Sequence, residues 1–358
     1  MEFALSSDQK MLQDSVTRTL ARLCPLDRVR KAAEAKTYAQ DVWQGLVELG
    51  IPGLLIPEKF GGVGLKLLDA ALVAEALGHH VSPVPFIASC VMAPLALLRA
   101  ASPAQQAKWL PRLASGEITI GVAISEQVAG AREGAGIAAQ SERLNGKAIF
   151  ALDFAQATLF IVADQDGKLH LVDATAPGVH KTTLTTIDLT RSIGELHVQN
   201  VESEPLAHGD GLIAMRDAGW IMLAADTLGA SWQMIEKSVT YAQERKQFDR
   251  VIGSFQAVKH LCAEMAAELE PGRALIWYAA HAFDDIPSDA SLTAAHAKAY
   301  LSEVGRFVAR TSTEVHGGIG ITDLLGLHYW FKRIGLNRQL LGGPERVRHL
   351  AAQMQGFI

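Results

Sequence analysis

Cysteine is scarce in this chain, and its three residues lie too far apart to act together. Cys24, Cys90 and Cys262 can form neither a disulfide framework nor a paired metal site. Apolar runs are short, so no segment reaches the length needed to cross a membrane. The first residues, Met1 to Leu5, lack the charge pattern of a secretory signal. These absences predict a protein of a reducing compartment, which we expect to be the cytoplasm.

Strong charge and several common catalytic motifs are also missing. The formal net charge is -5 with both signs interspersed, so no basic surface for nucleic acid or anionic membrane is expected. There is no serine-nucleophile elbow, Walker phosphate loop or zinc-ligand spacing. His260 and Cys262 are two residues apart on a predicted helix, so they face different directions and make a poor metal pair. Gly318-x-Gly320 is not a dinucleotide fingerprint, because a helix precedes it and the third glycine is absent.

Alanine and leucine, by contrast, are plentiful, and the first third of the chain has a helical pattern. Of its 358 residues, 49% are hydrophobic, and the prevalence of Ala and Leu favours helix. A capping box at Ser6-x-x-Gln9 opens one helix, which the spacing predicts to end at Pro25. Further helices are predicted over 42–49, over 67–77 with Gly78 as its end, and from Ser102-Pro103-x-x-Gln106 onward. We therefore predict a helical domain over residues 1–117.

The pattern changes to short strands near residue 118 and returns to helix near residue 209. The strand segments are apolar or alternating, and they span 118–125, 148–153, 159–162, 169–172 and 195–201. Asp166-Gly167 suits a tight hairpin between two of them. We predict a central β domain over 118–208 and a second helical domain over 209–358. The fold class is thus α+β, mainly α.

The most informative stretch of the chain covers residues 241–260. It predicts the end of one helix, a short turn over 249–254 and the start of a second helix. Arg245, Phe248 and Gln256 are gathered around that corner. A guanidinium can fork onto a pyrophosphate, and an amide can hydrogen-bond a sugar or a base. This set of side chains therefore suits an anionic, planar cofactor.

This stretch resembles the signature of the acyl-CoA dehydrogenase family, flavoproteins that oxidise acyl thioesters between Cα and Cβ. The order helix, strand, helix is also the order of that family, so the resemblance covers nearly the whole chain. It implies an acyl-CoA substrate, FAD as cofactor, and an N-terminal helical domain, a central β domain and a C-terminal helical bundle. In the family, the residues that match Arg245, Phe248 and Gln256 reach across a subunit interface to the adenosine-pyrophosphate half of a neighbour's FAD.

A second family motif matches the glycine pair Gly317-Gly318, within Val315-His-Gly-Gly-Ile-Gly320. Glycines suit such a surface because backbone amides approach a phosphate closely only where no Cβ intervenes. The family usually has Gln where this chain has Glu314, and an ionised carboxylate can only accept hydrogen bonds. The resemblance implies that Glu314, Gly317 and Gly318 belong to the same cross-subunit cofactor site.

The side of the site that would hold the flavin ring departs from the family pattern. The segment that matches the family's Thr-Glu-Pro-x-Ala-Gly-Ser-Asp run is 125–132, where Ser125 keeps a hydroxyl but the Ser-Asp pair has become Ala131-Arg132. The family's Trp-x-Thr element, which lies against the isoalloxazine, falls on Phe150-Ala-Leu152. Leu152 cannot donate a hydrogen bond from its side chain. These changes predict a β domain that does not hold a flavin ring of its own.

The catalytic base is also missing at both positions the family uses. Proton removal from a thioester needs a carboxylate within reach of Cα. The family's spacing places the two positions at Gly219 and Leu341, and neither residue accepts a proton. Asp217 lies two residues from the first position, which on a helix points it about 200° away. Glu345 follows Pro344 and better fits the charge preference of a first helical turn.

Three hypotheses follow from the sequence. The first is a non-catalytic subunit of a heteromeric acyl-CoA dehydrogenase that completes the FAD site of a homologous catalytic partner. Such pairs resemble the steroid side-chain dehydrogenases of bacteria, which assemble as α2β2 tetramers, and an electron-transfer flavoprotein-like acceptor is implied. The second is a self-sufficient homomeric enzyme whose base lies elsewhere. The third is a flavin-free structural homologue.

Overall fold

The computed structural model describes residues 4–207 and 209–358. Residues 1–3 and residue 208 lie outside the described residues. The first group includes the start of the segment tested for a secretory signal, and residue 208 is the predicted end of the β domain. Within the described residues, helices come first, strands follow and helices return, which confirms the predicted α+β fold class. The helices before the strands are α1 (Ser7–Leu23), α2 (Leu26–Ala35), α3 (Gln40–Glu48), α4 (Leu67–His79), α5 (Ala93–Ala100) and α6 (Pro103–Ala114).

The capping box at Ser6 starts α1 as predicted, with the Ser6 hydroxyl accepting from the Gln9 amide at 3.1 Å. α1 ends at Leu23, just before Pro25, as predicted. Pro25 then precedes α2, which the sequence did not predict, because proline's fixed φ also suits the residues that open a helix. Ser102 caps α6 and Pro103 is its first residue, as predicted, with Gln105 as the residue that reaches back to the cap.

Gly78 does not end α4 but lies inside it, at a close crossing with the long helix α8 (Gly211–Glu244). A Cβ on Gly78 would lie 2.0 Å from the carbonyl oxygen of Asp226, and one on Gly229 would lie 1.9 Å from that of Glu75. These two glycines let the backbones of α4 and α8 touch, which no other residue type would allow. A π-helical segment, Ile87–Met92, leads from this layer into α5.

The strands form one curled sheet between the two groups of helices. They are β1 (Ile120–Ala123), β2 (Gly136–Gln140), β3 (Arg143–Leu152), β4 (Leu159–Ala163), β5 (Leu169–Asp173), β6 (Val179–Thr183), β7 (Ile193–Glu202) and β8 (Glu204–Pro205). The sheet order is β6-β7-β3-β1-β4-β5-β8, with β2 paired to β3. Asp166-Gly167 connects β4 to β5 in an antiparallel hairpin, as predicted. Strands β2 and β6 were missed, because neither alternates in polarity; β6 is largely exposed and β2 is mostly half-buried.

The last part of the chain is a helical bundle. After α8, a two-stranded hairpin of β9 (Lys246–Gln247) and β10 (Arg250–Val251) precedes the remaining helices. These are α9 (Gln256–Asp285), α10 (Pro287–His316), α11 (His328–Gln339) and α12 (Pro344–Met354); a five-residue helix, α7 (Ser125–Ala129), lies within the β region. Helices α8, α9 and α10 pack side by side, and all three contribute buried residues to the main core.

A buried ion network centred on Asp226 joins these layers. Arg333 of α11 donates to the Asp226 carboxylate from Nη2 at 2.7 Å and from Nε at 2.9 Å. The guanidinium of Arg191, just before β7, lies 2.9 Å from the same carboxylate, and the amide of Asn337 donates to it at 2.6 Å. Burial alone would raise the pKa of Asp226, but Arg191 and Arg333 lower it to about 2. The carboxylate is therefore charged and paired throughout the neutral range.

We expect Asp226→Asn to destabilise the protein by about 3–5 kcal/mol, because it leaves two buried guanidinium groups without their counter-ion. Urea denaturation with and without the substitution measures this. The control is Glu204→Gln, which breaks the exposed pair between Glu204 and Lys108 and should cost under about 1 kcal/mol. Equal effects of the two substitutions would contradict the central role of the network.

Candidate functional site

The corner after α8 is a hairpin rather than the predicted simple turn over 249–254. Strands β9 and β10 pair through Arg250 and Gln247, and Phe248 and Asp249 form the tip between them. Both tip residues have positive φ, +54° and +62°, the conformation that a two-residue turn of this hand requires. Neither is a glycine, so the tip carries backbone strain. The Phe248 side chain is 86% exposed, so the hairpin presents an aromatic ring to solvent.

The glycine pair lies where α10 ends. Gly317 has a φ of +62° and a ψ of -145°, a conformation that is available to glycine and strained for other residues. A Cβ placed on Gly317 or on Gly318 would meet no atom within 4 Å. The backbone of this turn is thus open to an outside group.

The hairpin and the glycine turn form the two walls of one open groove. Arg245, Glu314, Gly317 and Gly318 all line it, and its volume is about 550 Å³; its other lining residues are Tyr241, Gln247, Ile252, Val315, His316 and Ile319. Among the residues that the structure describes, no hydrogen bond or ion pair engages the Arg245 guanidinium. A free guanidinium beside open glycine amides fits a phosphate or pyrophosphate group.

Phe248 and Gln256 do not line this groove. Phe248 packs edge-on against Phe255, with ring centroids 6.2 Å apart, and the guanidinium of Arg250 lies 3.9 Å from the centre of the Phe255 ring. Gln256 is the first residue of α9, and its amide lies 3.1 Å from Nε2 of His260. Of the six residues predicted for the cofactor site, four are brought together, and two lie on the adjoining hairpin and helix end.

His316 forms the floor of the groove, a role that the sequence did not indicate. Its ring stacks on Tyr241 at 4.8 Å, and its Nδ1 lies 2.7 Å from the carbonyl oxygen of Ser312. Burial lowers the pKa of His316, so the ring is neutral at pH 7 and Nδ1–H donates to that carbonyl. The cation of the groove is therefore Arg245 rather than this histidine.

Both positions at which the resembled family places its base come together in space and contact each other. A Cβ on Gly219 would lie 2.5 Å from Cδ1 of Leu341 and 3.2 Å from Sδ of Met92. Leu341 is buried at 2% exposure, and the indole of Trp220 donates to its carbonyl oxygen at 2.8 Å. The space above Gly219 is thus filled by aliphatic and thioether groups, which cannot take a proton.

The two neighbouring carboxylates are committed elsewhere. Asp217 is buried, pairs with Arg216 at 2.8 Å and accepts from the Ser291 hydroxyl at 2.5 Å. Burial raises the pKa of Asp217, while Arg216 opposes that shift. Glu345 lies in the first turn of α12, as its sequence context predicted, and pairs with Arg338 at 2.8 Å. Neither contacts Gly219 or Leu341.

The polar side chains near the segment that resembles the flavin-ring wall contact other parts of this chain. The hydroxyl of Ser125 donates inward to the carbonyl oxygen of Phe150 at 3.3 Å. The guanidinium of Arg132 lies 4.7 Å from the centre of the Phe150 ring. From α12, Arg346 donates to the carbonyl oxygen of Val128 at 3.0 Å, and Leu152 is buried in the core. These residues do not fit a flavin ring, whereas the groove at Arg245 fits its pyrophosphate.

The fold and the groove define a helix–sheet–helix protein with an open, cation-bearing groove on its C-terminal bundle. The chain matches the family model described as acyl-CoA dehydrogenase, N-terminal domain, over residues 6–117, and that described as acyl-CoA dehydrogenase, C-terminal domain, over residues 216–355. It is 33% identical to the acyl-CoA dehydrogenase IpdE2 of Mycobacterium tuberculosis, over 95% of both chains. The chain belongs to the acyl-CoA dehydrogenase family.

Solved structures place the chain in the same fold. It superposes on a chain of the ChsE4-ChsE5 complex from Mycobacterium tuberculosis with a TM-score of 0.92 at 27% identity, over 100% of both chains. A chain of the Tcur3481-Tcur3483 steroid acyl-CoA dehydrogenase, a G363A variant, gives 0.88 at 26% identity, over 98% of both. Across the described parts of the chain, no helix combines the length and apolar character needed to cross a membrane.

The turn that carries Leu341 follows directly from α11, whose end is held by a buried lysine. Lys298 of α10 is 1% exposed, and its ammonium donates to the carbonyl oxygens of Asn337 and Arg338. These carbonyls lack partners within their own helix. Burial, with the nearby charges of Arg338 and Arg191, lowers the pKa of Lys298 to about 7.

This shift predicts a pH dependence of stability. Because the folded pKa lies below the ordinary value of 10.5, the unfolded chain binds more protons between these two values. Stability therefore rises as the pH increases from about 7 towards 10.5. We expect Lys298→Met to flatten this rise, as measured by urea midpoints across the interval. An unchanged slope in the variant would contradict the assignment to Lys298.

The contact between the two base positions is tested by a double-mutant cycle. Gly219→Ala should destabilise the protein unless Leu341→Ala is present, because the added Cβ needs the space of the leucine. We expect a coupling energy of about 1–2 kcal/mol in urea denaturation. The control is Gly335→Ala in α11, where a Cβ would meet only Cδ1 of Ile187 at 3.5 Å; this change should not be destabilising. Additive effects at 219 and 341 would show that the residues do not touch.

Proposed function

We propose that this chain is the non-catalytic subunit of a heteromeric acyl-CoA dehydrogenase. It offers its groove to the adenosine-pyrophosphate half of an FAD whose flavin ring sits on a homologous partner chain. The partner supplies the base and the ring contacts, and the complex oxidises an acyl-CoA thioester between Cα and Cβ. Electrons then pass to an acceptor of the electron-transfer flavoprotein kind.

The contact between Gly219 and Leu341 is the observation that carries this proposal. α-Proton removal needs a carboxylate beside Cα. Both residues at the family's base positions are apolar, and the Leu341 side chain fills the space beside Gly219. The carboxylates nearest in sequence do not substitute, since Asp217 and Glu345, two and four residues from the base positions, are held by arginines. A chain built in this way contributes binding surface rather than a base.

The two halves of the cofactor site also support the proposal that this chain binds the pyrophosphate and the partner binds the flavin ring. Arg245 is uncommitted within the described chain, and the glycine turn is open at Gly317 and Gly318. On the ring side, Arg132 packs over Phe150, Arg346 donates to the carbonyl oxygen of Val128, and Leu152 offers no hydrogen-bond donor. A chain with an open pyrophosphate groove and a ring side that lacks these donors matches a subunit that completes a neighbour's site.

The relatives support a paired assembly and a steroidal substrate. Two similar structures are of paired proteins, ChsE4-ChsE5 and Tcur3481-Tcur3483, and the second is named a steroid acyl-CoA dehydrogenase. By analogy, we propose an α2β2 tetramer that acts on a steroid side chain carried as its CoA thioester. This part of the proposal rests on similarity alone.

The direct experiment is purification of the chain alone and together with its candidate dehydrogenase partner. We expect a colourless lone chain and a yellow complex that turns over acyl-CoA. A lone chain that binds FAD and oxidises acyl-CoA would establish the homomeric alternative. A chain that stays colourless and inactive with its partner would favour the flavin-free homologue.

The groove itself is tested by Arg245→Ala in the co-expressed complex. We expect the FAD content to fall, because the substitution removes the one guanidinium that, among the described residues, lines the groove beside the glycine turn. Arg250→Ala is the matched control, since Arg250 belongs to the same hairpin but packs on Phe255. Visible absorbance per mole of purified complex measures the occupancy. Unchanged occupancy in the Arg245 variant, or an equal loss in both variants, would count against the cross-subunit groove.

A further inference from the structure

The segment that follows the glycine turn is exposed yet held in place. Ile321 and Leu324 are 75% and 80% exposed, and the hydrophobic core reaches this segment only at its end, where Leu325 packs against it. Thr322 instead ties it to the groove, because its hydroxyl donates to the carbonyl oxygen of Ile319 at 2.7 Å. Ile319 lines the groove together with Gly317 and Gly318. Whatever fixes the segment 322–326 therefore also fixes the groove wall.

An arginine from the other end of the chain holds this segment. Nη2 of Arg30, in α2, donates to the carbonyl oxygens of Asp323 at 2.6 Å and Leu324 at 2.9 Å. Its Nη1 donates to the carboxylate of Asp27 at 3.0 Å, which orients the guanidinium. Hydrogen bonds from a charged donor are the stronger ones, and two of them converge on consecutive carbonyls.

Side chains of α2 also approach the backbone of the same segment closely. Gly326 has a φ of +68°, and a Cβ there would lie 2.6 Å from Cδ2 of Leu26 and 3.2 Å from Nη2 of Arg30. The glycine thus permits both the turn and the close approach. Helix α2 is therefore seated on the segment by an apolar contact and by a forked pair of hydrogen bonds.

We propose that Arg30 is a positioning residue for the dinucleotide groove. It does not line the groove, but it fixes residues 322–326 so that the Gly317–Ile319 turn keeps its backbone amides aimed at the ligand. The inference rests on the function proposed above, because it takes FAD as the ligand of the assembled complex. It adds that the N-terminal helical layer, through α2, sets the affinity of a site built on the C-terminal bundle.

The test compares five complexes, one of them Arg30→Lys, by the dissociation constant for FAD, measured by titrating flavin-stripped complex. Arg30→Met removes both donors while keeping the length of the side chain. Gly326→Ala displaces the segment from the other side and leaves Arg30 in place. The control is Arg28→Met, since Arg28 lies on the same helix and makes bonds of 2.8 and 3.0 Å to Asp41 but does not touch the segment. The unaltered complex is the reference.

We expect Arg30→Met and Gly326→Ala each to raise the dissociation constant about tenfold, with Arg28→Met near the reference value. Amide exchange over residues 317–326 should accelerate in the first two variants only. Arg30→Lys should restore part of the affinity, because an ammonium also donates to carbonyls but lacks the planar fork. Unchanged affinity in Arg30→Met, or an equal loss in Arg28→Met, would overturn the inference.

Failure of this inference is distinguishable from failure of the proposed function. If Arg245→Ala releases FAD while Arg30→Met does not, the groove binds the cofactor but α2 does not position it. If Arg245→Ala has no effect, the groove does not hold the cofactor, and the proposed function fails first.

Discussion

The buried carboxylate of Asp226 is the interaction on which most of this molecule depends. It lies in the middle of α8 and binds Arg333 and Asn337 of α11 and Arg191 at the edge of the sheet. Charges this deeply buried are tolerated only as a complete, hydrogen-bonded set. Where α4 crosses α8, the backbone of Gly78 packs against the carbonyl oxygen of Asp226 itself. One carboxylate therefore fixes how the helical layers and the sheet meet.

This arrangement has a direct consequence for function. Because α11 is fixed, the residues that follow it are held in place: Leu341 contacts Gly219, and Arg346 hydrogen-bonds to Val128. The turn after α11 thus fills the base position with Leu341, while α12 contacts the segment that resembles the ring wall. The groove at Arg245 keeps its open glycine backbone, and within the described part of the chain its guanidinium has no partner. This combination is what the proposed complementary subunit requires.

Local signals in the sequence predicted much of the fold. The capping box at Ser6 and the turn at Asp166-Gly167 act within a few residues, so both were predicted correctly. Strand β6 was missed because its exposed residues do not alternate, and α2 because Pro25 stops one helix while opening another. The meeting of Gly219 with Leu341, and of Arg30 with Asp323, depends on packing between distant segments. Only coordinates could supply those contacts, although the family spacing had marked 219 and 341.

The central claim is that this chain completes a partner's flavin site and has none of its own. The most direct measurement is the amount of FAD released from the assembled complex, set against the molar amounts of the two chains. The account predicts one FAD for each pair of unlike chains, since only the partner provides a ring wall and a base. A second FAD for every pair would contradict it, because the wall formed by Ser125, Phe150 and Leu152 would then hold a flavin after all.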